Sequence, residues 1–187
     1  MDEYIDRVTE TGQPTGEVVL KSEAHKNGWF HNTIHLWLFT AKGDVLLQQR
    51  SHKKAIYPLL WDVSAAGHID AGESFETAAI RETHEELGLL LKPTDLIKIG
   101  VNKHKTAYAN DTILDNEFHH VFIAELKVDI TELTVQEEEV EAIKLVTLND
   151  FTMLLEQSAT NNHFIASNKG YYEFVLDKIK ARISSID

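Results

Sequence analysis

Apolar positions along the first part of the chain follow the spacing of β-strands. Residues 31–39, HNTIHLWLF, alternate and then run apolar, and residues 45–50 form a second apolar stretch after the turn-forming residues 41–44. Two such stretches joined by a short polar turn predict a β-hairpin. Further strands are predicted over residues 4–9, 18–20, 61–64, 96–103, 117–126 and 142–146.

One segment in the middle of the chain has the spacing of an α-helix. No glycine or proline interrupts the chain from Ser74 to Leu87, Ser74 is a suitable N-cap, and Gly88 follows as a C-terminal stop. At about 100° per residue, Ile80, Thr83 and Leu87 point the same way and are expected to cover a sheet. Two more helices are predicted over residues 149–157 and 171–183. Mixed strands with helices on both faces indicate the α/β class and an α/β/α sandwich.

Length and composition narrow the class of protein. The 187 residues are 43% hydrophobic, enough for a single domain, with residues 1–30 as an N-terminal extension packing on it and 168–187 as a C-terminal helix. The net charge of −12 argues against a nucleic-acid partner, and the absence of cysteine excludes disulfides and a cysteine nucleophile. The acidic N-terminus and the lack of a long apolar segment predict a cytoplasmic protein without a membrane partner. A homodimer is only the commonest default.

The central helix carries an unusual group of carboxylates. Glu82, Glu85 and Glu86 recur at i, i+3 and i+4, so their side chains are expected to share one small patch. Like charges at this spacing destabilise a helix unless a cation lies among them, and hard carboxylate oxygens suit Mg²⁺ or Mn²⁺. The alternative is a solvated acidic helix face, which is what most glutamate runs are.

The residues that flank these carboxylates favour a metal site over a solvated face. Gly67 and Gly72 are expected to bracket a loop just before the helix, where the Gly67 carbonyl could add a ligand. Arg81 is close enough to Glu73 and Glu85 to orient one of them through charge-assisted hydrogen bonds.

This segment resembles the Nudix box, Gly-x5-Glu-x7-Arg-Glu-U-x-Glu-Glu-x-Gly-U, where U is a bulky aliphatic residue. All seven fixed positions match, and Leu89 fills the last U; the matching residues are Gly67, Glu73, Arg81, Glu82, Glu85, Glu86 and Gly88. Thr83 departs at the first U, so its hydroxyl needs a partner, such as the carbonyl one turn back. The resemblance implies the Nudix α/β/α fold and metal-dependent cleavage of a diphosphate.

A wider resemblance covers about residues 17–150. The segments EAHKNGWFHNTIHLWLF, LLQQRSHKK, WDVSAAGHIDAGE and DNEFHHVF are similar to the Nudix branch of type I isopentenyl-diphosphate isomerases and their hydrolase-like relatives. The isomerases carry a cysteine just before the Gly-His pair and a degenerate box. This chain has residues 63–66, VSAA, at that place and an intact box, so both departures favour hydrolysis.

The isomerases also build a separate metal site from histidines and carboxylates. His31, His68, Asp115 and Glu117 lie in matching motifs, and His25 is a less certain match. The sequence leaves open whether they form a second metal site, because hydrogen-bonded strand or loop histidines are common, and the same holds for His35. His68 is expected to line the substrate pocket.

The resemblance also assigns roles in substrate binding and proton transfer. Arg50 and Lys54 match basic residues that grip the diphosphate in the isomerases, although an exposed hairpin exit is an equal reading. Glu117, expected to start an apolar strand, is the preferred general base. The run from Glu137 to Glu141 is expected to be a solvated face instead.

These observations lead to one interpretation, with two alternatives. We expect a Mg²⁺- or Mn²⁺-dependent Nudix hydrolase that acts on a small-molecule diphosphate, with Glu82, Glu85, Glu86 and the Gly67 carbonyl as metal ligands. Glu85 and Glu86 are then also catalytic, with Arg81 orienting a glutamate. The alternatives are an isopentenyl-diphosphate isomerase-like enzyme and a non-catalytic nucleotide- or metabolite-binding module. If Glu86 lies on an exposed face, Glu86→Gln should remove turnover and leave the fold intact.

Overall fold

The computed structural model describes residues 2–108, 112–165 and 168–185. The strands are β1 (Tyr4–Val8), β2 (Pro14–Leu20), β3 (His31–Phe39), β4 (Asp44–Arg50), β5 (Trp61–Asp62), β6 (Ala65–His68), β7 (Ile97–Tyr108), β8 (Ile113–Glu125) and β9 (Val140–Thr147). The α-helices are α1 (Lys21–Asn27), α2 (Phe75–Leu87), α3 (Leu148–Glu156) and α4 (Lys169–Ile183). Short 3₁₀ turns lie at Pro93–Asp95 and Ile130–Glu132.

Strand β3 is the centre of a mixed sheet. It pairs in parallel with β8 along its whole length, from His31 opposite Glu117 to Phe39 opposite Glu125. Antiparallel partners of β3 are β1, β4 and β6, while β7 continues the sheet beyond β8 and β9 continues it beyond β4. This arrangement brings β6, which contains Gly67 of the box, and β8, which carries Glu117, to either side of β3.

Alternate residues of β3 enter two separate hydrophobic cores. Trp37 and Phe39 pack with residues of α3 and α4, whereas Leu36 and Leu38 lie on the opposite face with residues of α2. Successive side chains of a strand point to opposite faces, so a strand buried on both faces reads as a continuous apolar run. The sheet between two helical layers confirms the predicted α/β/α sandwich.

Helix α2 begins and ends where the sequence predicts. The Ser74 side chain accepts a hydrogen bond from the Thr77 backbone N–H, and Gly88 adopts the left-handed conformation with φ of 67°. The Thr83 hydroxyl donates to the carbonyl of Ala79 at 2.6 Å, one turn back, which satisfies the polar group at the aliphatic position of the box.

The sheet-facing side of α2 differs in part from the prediction. Thr83 and Leu87 are fully buried, as expected, but Ile80 is only partly buried. Ala78 and Ala79 are buried instead, since their small side chains let the helix approach the sheet closely.

The predicted hairpin of β3 and β4 forms, but its strands separate soon after the turn. Phe39 and Val45 are their paired residues, and further along the buried Ser64 lies between them. Its hydroxyl accepts from the Leu38 N–H at 2.8 Å and donates to the Leu46 carbonyl at 2.6 Å. One side chain therefore replaces part of the backbone ladder.

Several predicted boundaries were wrong. Strand β8 begins at Ile113, so Glu117 lies inside the strand and does not start it. The predicted strand over residues 61–64 ends at Asp62 as β5. A separate strand, β6, follows, and Gly67 lies within it, not in a loop. Helix α1 was not predicted, because its seven residues are too few for an apolar period to show.

The two chain ends extend the sandwich. Strand β1 pairs with β3 at Arg7 and His31, and α4 contributes Tyr172, Val175 and Ile179 to a core. Residues 1 and 186–187, which the sequence assigned to the N-terminal extension and the C-terminal helix, lie outside the described residues. No helix within the described ranges is long and apolar enough to cross a membrane.

Candidate active site

A cavity of about 380 Å³ lies against the polar end of β3, between α2, β6, β8 and the loop after β4. The predicted site residues that line it are Arg50, Lys54, Gly67, His68, Arg81, Glu82, Glu85, Glu86 and Glu117. The structure therefore brings all the predicted site residues to one place, from segments far apart in the sequence.

Glu86 is the most buried carboxylate of helix α2, with only 4% of its surface exposed. Its Oε2 accepts the Ala66 backbone N–H at 3.2 Å, and the Gln48 amide, oriented to donate, also lies at 3.2 Å. Burial, followed by the neighbouring Glu82 charge, raises the pKa of Glu86 to about 8. The expectation that Glu86 lies on an exposed helix face was therefore wrong, because this turn of α2 packs against β6.

Glu82 and Glu85 occupy different environments. Burial raises the pKa of Glu82, despite its ion pair with Arg81. The Glu85 side chain is 48% exposed at the cavity edge and lies 3.2 Å from Arg81. The three carboxylates thus form a gradient from buried to exposed along one side of the cavity.

Arg81 holds this group together. Its guanidinium donates to both carboxylate oxygens of Glu73, at 3.1 and 2.9 Å, and to Glu82 at 2.8 Å. It also donates to the His68 carbonyl at 2.9 Å, which ties α2 to β6. The hydrogen bonds that Arg81 donates to Glu73 are the main reason that the pKa of Arg81 is raised further, so it remains charged. The predicted orienting contacts to Glu73 and Glu85 are both present.

Gly67 is required because the Glu82 carboxylate occupies the space of a side chain. A Cβ atom built on Gly67 would overlap the Glu82 carboxyl group. The absence of a side chain lets the Glu82 carboxylate lie directly against β6, next to the Gly67 backbone.

Three imidazoles and one carboxylate converge beside the cavity, and three of these four residues line it. The Nε2 atoms of His31 and His68 lie 3.4 and 3.5 Å from Oε1 of Glu117, and Nε2 of His25 lies 3.2 Å from Nε2 of His68. One ligand atom from each of the four residues lies within 4.8 Å of the others. We call His25, His31, His68 and Glu117 the imidazole cluster.

The protonation of the imidazole cluster suits a cation. Nδ1 of His31 lies 2.9 Å from the Trp29 carbonyl, so it carries the proton of the neutral ring and leaves a lone pair on Nε2. Burial lowers the pKa of His25, and that of His68 further, which favours neutral rings. Burial alone would raise the pKa of Glu117, but His119 and His31 hold it well below its ordinary value.

Asp115 lies behind the imidazole cluster instead of in it. Its carboxylate oxygens lie 3.4 Å from His25 Nδ1 and 3.7 Å from His104 Nε2. Burial and the Glu117 charge raise its pKa strongly. Asp115 is therefore placed to orient His25.

The residues of both groups fit divalent cations. Nε2 of His31 is a buried nitrogen without a hydrogen bond in the described part of the chain, which is costly unless something else binds there. Glu86 is buried and Glu82 partly buried, and burial raises the pKa of both carboxylates, a cost that a bound cation would relieve. Oxygen ligands suit Mg²⁺ or Mn²⁺, and imidazoles suit softer ions.

The two predicted diphosphate-binding residues differ in what they contact. Lys54 forms an ion pair with Glu139, and burial lowers its pKa. The Arg50 guanidinium donates to the carbonyls of Ile56 and Tyr57 at 2.8 to 3.1 Å, so it also holds the loop that walls the cavity. Glu139 lines the cavity. The prediction that the run from Glu137 to Glu141 forms a solvated face is therefore wrong for Glu139.

Sequence reasoning missed an inner group of rings at the closed side of the cavity. His35, His104 and His119 all line the cavity, and His35 stacks on His119 with ring centroids 4.0 Å apart. The signal was present as alternation: His31, Thr33 and His35 share one face of β3. The sequence alone could not predict that these rings meet, because this depends on the register of β3 and β8, which places His119 beside Thr33.

Comparison with known proteins identifies the family. Residues 29–167 match the NUDIX domain, so the chain belongs to the NUDIX domain family. The first 28 residues and the C-terminal helix α4 lie outside this match, although His25 comes from the former. The family and its relatives support a Nudix hydrolase.

The chain is similar in sequence both to Nudix hydrolases and to an isopentenyl-diphosphate isomerase. The chain is 34% identical over 158 residues to an uncharacterized Nudix hydrolase of Clostridium acetobutylicum, covering 83% of this chain and 75% of that protein. It is 33% identical over 159 residues to Nudix hydrolase 3 of Arabidopsis thaliana, covering 83% of this chain but only 21% of that protein. It is 36% identical over 123 residues to an isopentenyl-diphosphate Delta-isomerase of Nocardia farcinica, covering 65% and 68%.

A solved structure supports the fold alone. A crystal structure from Deinococcus radiodurans superposes with a TM-score of 0.66 at 18% identity, covering 91% of this chain and 98% of the other. The resemblance read from the box and from the isomerase-like segments is confirmed at the level of the family and its branch.

Proposed function

We propose that the protein hydrolyses the diphosphate bond of a small molecule in which a diphosphate is linked to another group, and that it requires a divalent cation. The observation that carries the proposal is the shared cavity of about 380 Å³, which the buried Glu86 and the partly buried Glu82 line together with three members of the imidazole cluster. Burying these carboxylates together costs stability, and a binding fold without metal chemistry gains nothing from that cost.

Glu82, Glu86 and the Gly67 carbonyl would hold the catalytic cation, with Glu85 at the open edge. When bound, the cation would neutralise charge on the phosphoryl oxygens and on the leaving group. The imidazole cluster would hold a second ion. The lowered pKa values of His25, His68 and Glu117 favour neutral rings and an ionised carboxylate, which are the forms that bind a cation.

The remaining residues bind and orient. Arg81 keeps Glu73, Glu82 and Glu85 in place, and Lys54 offers an ammonium group to the diphosphate once Glu139 releases it. The lowered pKa of Glu117 makes its carboxylate a weak proton acceptor. We therefore assign Glu117 to cation binding instead of the role of general base.

The test is turnover of a diphosphate panel with Mg²⁺ and with Mn²⁺, read as released phosphate or monophosphate. The panel contains nucleoside diphosphates, nucleotide sugars, dinucleotides, coenzyme-type diphosphates and isoprenoid diphosphates. We expect cation-dependent hydrolysis of at least one class. A flat result across the whole panel would revive the non-catalytic binding module.

Glu86→Gln tests the site on whichever substrate the panel identifies. The variant keeps an oxygen for the Ala66 N–H but removes the carboxylate that would bind the cation, so kcat should fall by about 100-fold or more while the fold remains intact. Glu76→Gln is the matched control, because Glu76 is exposed on the first turn of the same helix. Near-normal hydrolysis by Glu86→Gln at saturating Mg²⁺ would overturn the assignment.

A second candidate function is isomerisation of isopentenyl diphosphate. The imidazole cluster favours it, since the resemblance ascribes a histidine and carboxylate site to the isomerases. Against it, the chain contains no cysteine, and Ala66 stands before the Gly-His pair. Incubation with isopentenyl diphosphate separates the two: dimethylallyl diphosphate without phosphate release supports the isomerase, and phosphate release supports the hydrolase.

A further inference from the structure

His35 occupies a central position at the closed side of the cavity. On β3 it lies directly opposite Ala66 of β6, so the two side chains share one face of the sheet. The small Ala66 side chain leaves room beside the imidazole, and His119 stacks on its ring at 4.0 Å. His35 is thus paired across the sheet with Ala66, the residue whose backbone N–H donates to Glu86.

A chain of hydrogen bonds determines which nitrogen of His35 carries a proton. The Trp37 indole N–H can only donate, and it donates to the Tyr171 hydroxyl at 2.9 Å. Among the described residues, the only acceptor in reach of the Tyr171 hydroxyl is Nδ1 of His35, at 2.7 Å, so the hydroxyl donates its own proton to that nitrogen. Nδ1 is therefore the acceptor, and the proton of the neutral ring lies on Nε2.

The Nε2–H of His35 opens onto the cavity. Nε2 has no hydrogen-bond partner among the described residues and is not one of their buried unpartnered nitrogens. Burial, followed by the nearby His119, lowers the pKa of His35 well below its ordinary value, which keeps the ring neutral. The cavity therefore contains an uncharged donor, fixed in direction, that has no acceptor in the part of the chain that the structure describes.

We propose that His35 is a substrate-contacting residue that donates its Nε2–H to a phosphoryl oxygen of the bound diphosphate. The inference rests on the proposed function, since it names a further contact in the same site. A phosphoryl oxygen is an acceptor, and a neutral donor binds it without adding a cation near the imidazole cluster. Tyr171, from outside the segment that matches the family, is a positioning residue that acts through His35.

Two substitutions separate substrate contact from structural support. In His35→Asn the amide reaches about as far as Nδ1, so the acceptor for Tyr171 is kept and the cavity donor is lost. In His35→Gln the amide reaches about as far as Nε2 and restores an N–H in the cavity. The probe is methylenediphosphonate with Mg²⁺, measured by isothermal titration calorimetry on the full chain.

Binding by His35→Asn should weaken by about tenfold, as expected for a hydrogen bond to a charged oxygen, and His35→Gln should remain within about threefold of the wild type. Equal losses in both variants, or no loss in either, would overturn the proposal. If the wild type does not bind methylenediphosphonate, the proposed function itself fails, which is a distinguishable result.

Imidazole ¹⁵N spectra of the protein alone test the role of Tyr171. We expect the wild-type His35 signals of one tautomer, with Nε2 protonated and Nδ1 not, between about pH 6 and 8. Tyr171→Phe should move both ¹⁵N shifts towards the average of the two tautomers, a change that lost packing alone does not produce. An unchanged His35 spectrum in Tyr171→Phe would overturn this positioning role.

Discussion

At the scale of single residues, Gly67 has the sharpest requirement. Gly67→Ala would place a methyl group where the Glu82 carboxylate lies, and the carboxylate would move because it is the end of a flexible side chain. We expect little loss of thermal stability but Mn²⁺ binding weaker by about tenfold or more, since a ligand is displaced. Calorimetric Mn²⁺ titration and thermal melts measure the two effects separately.

Gly170→Ala is the matched control for that experiment. Gly170 lies in α4, and among the described residues an added Cβ would meet no atom within 4 Å beyond its chain neighbours and its own helix backbone. Alanine should therefore leave Mn²⁺ binding unchanged and stabilise the helix by up to about 1 kcal/mol. Unchanged Mn²⁺ affinity in Gly67→Ala would contradict the placement of the cation beside Glu82.

The sequence was a good guide to residue identities and a poor guide to their burial. The box spacing identified Gly67, Glu82 and Glu86, and the departure at Thr83 predicted its bond to the turn before. The burial of Glu86 was missed because helical periodicity gives a direction around the helix, not what lies opposite. Only the packing of α2 on β6 shows that this carboxylate is covered.

At the scale of elements, Ser64 joins the separating strands β3 and β4. Ser64→Ala would leave the Leu38 N–H and the Leu46 carbonyl unpaired in the core, and each unsatisfied group costs about 1 to 3 kcal/mol. We expect the free energy of unfolding to fall by about 2 kcal/mol or more, measured by urea denaturation. The exposed Ser184→Ala is the control and should change it by less than about 0.5 kcal/mol. A loss no larger than that of the control would mean that the backbone closes without the serine.

Strands and the long helices were predictable, whereas their register was not. Residues 31–39 form β3 with the predicted limits because a long apolar run bounded by turn residues has few other interpretations. The pairing of His31 with Glu117 depends on tertiary contacts 86 residues apart in sequence, which one sequence does not encode locally. The imidazole cluster and the place of His35 follow from that register.

At the scale of the whole molecule, the site draws on segments beyond the family match. His25 comes from α1 and Tyr171 from α4, on either side of residues 29–167. Both ends therefore bring side chains to the cavity or its wall. We infer that folding of the complete sandwich and formation of the site are coupled, so cation binding should stabilise the whole fold.

That coupling predicts how stability depends on pH. Burial raises the pKa of Glu86 from 4.5 to about 8, so between these values the folded protein holds a proton that the unfolded chain has lost. Stability then falls as pH rises through this window. Histidines with a lowered pKa act in the opposite direction, losing stability as pH falls below about 6.5, and they are equally present in Glu86→Gln.

The difference between Glu86→Gln and wild type therefore isolates Glu86. In EDTA, the variant should gain at least about 1 kcal/mol over the wild type between about pH 5 and about pH 8, because each pKa unit corresponds to about 1.4 kcal/mol. Saturating Mg²⁺ binds the ionised carboxylate, so it should stabilise the wild type more at pH 8 than at pH 5. It should therefore remove most of the extra stability that Glu86→Gln has over the wild type in EDTA. Urea denaturation at both pH values, with EDTA and with Mg²⁺, measures the four differences. A gap that does not change with pH would show that Glu86 is ionised throughout, and a gap that Mg²⁺ does not narrow would place the cation away from this carboxylate.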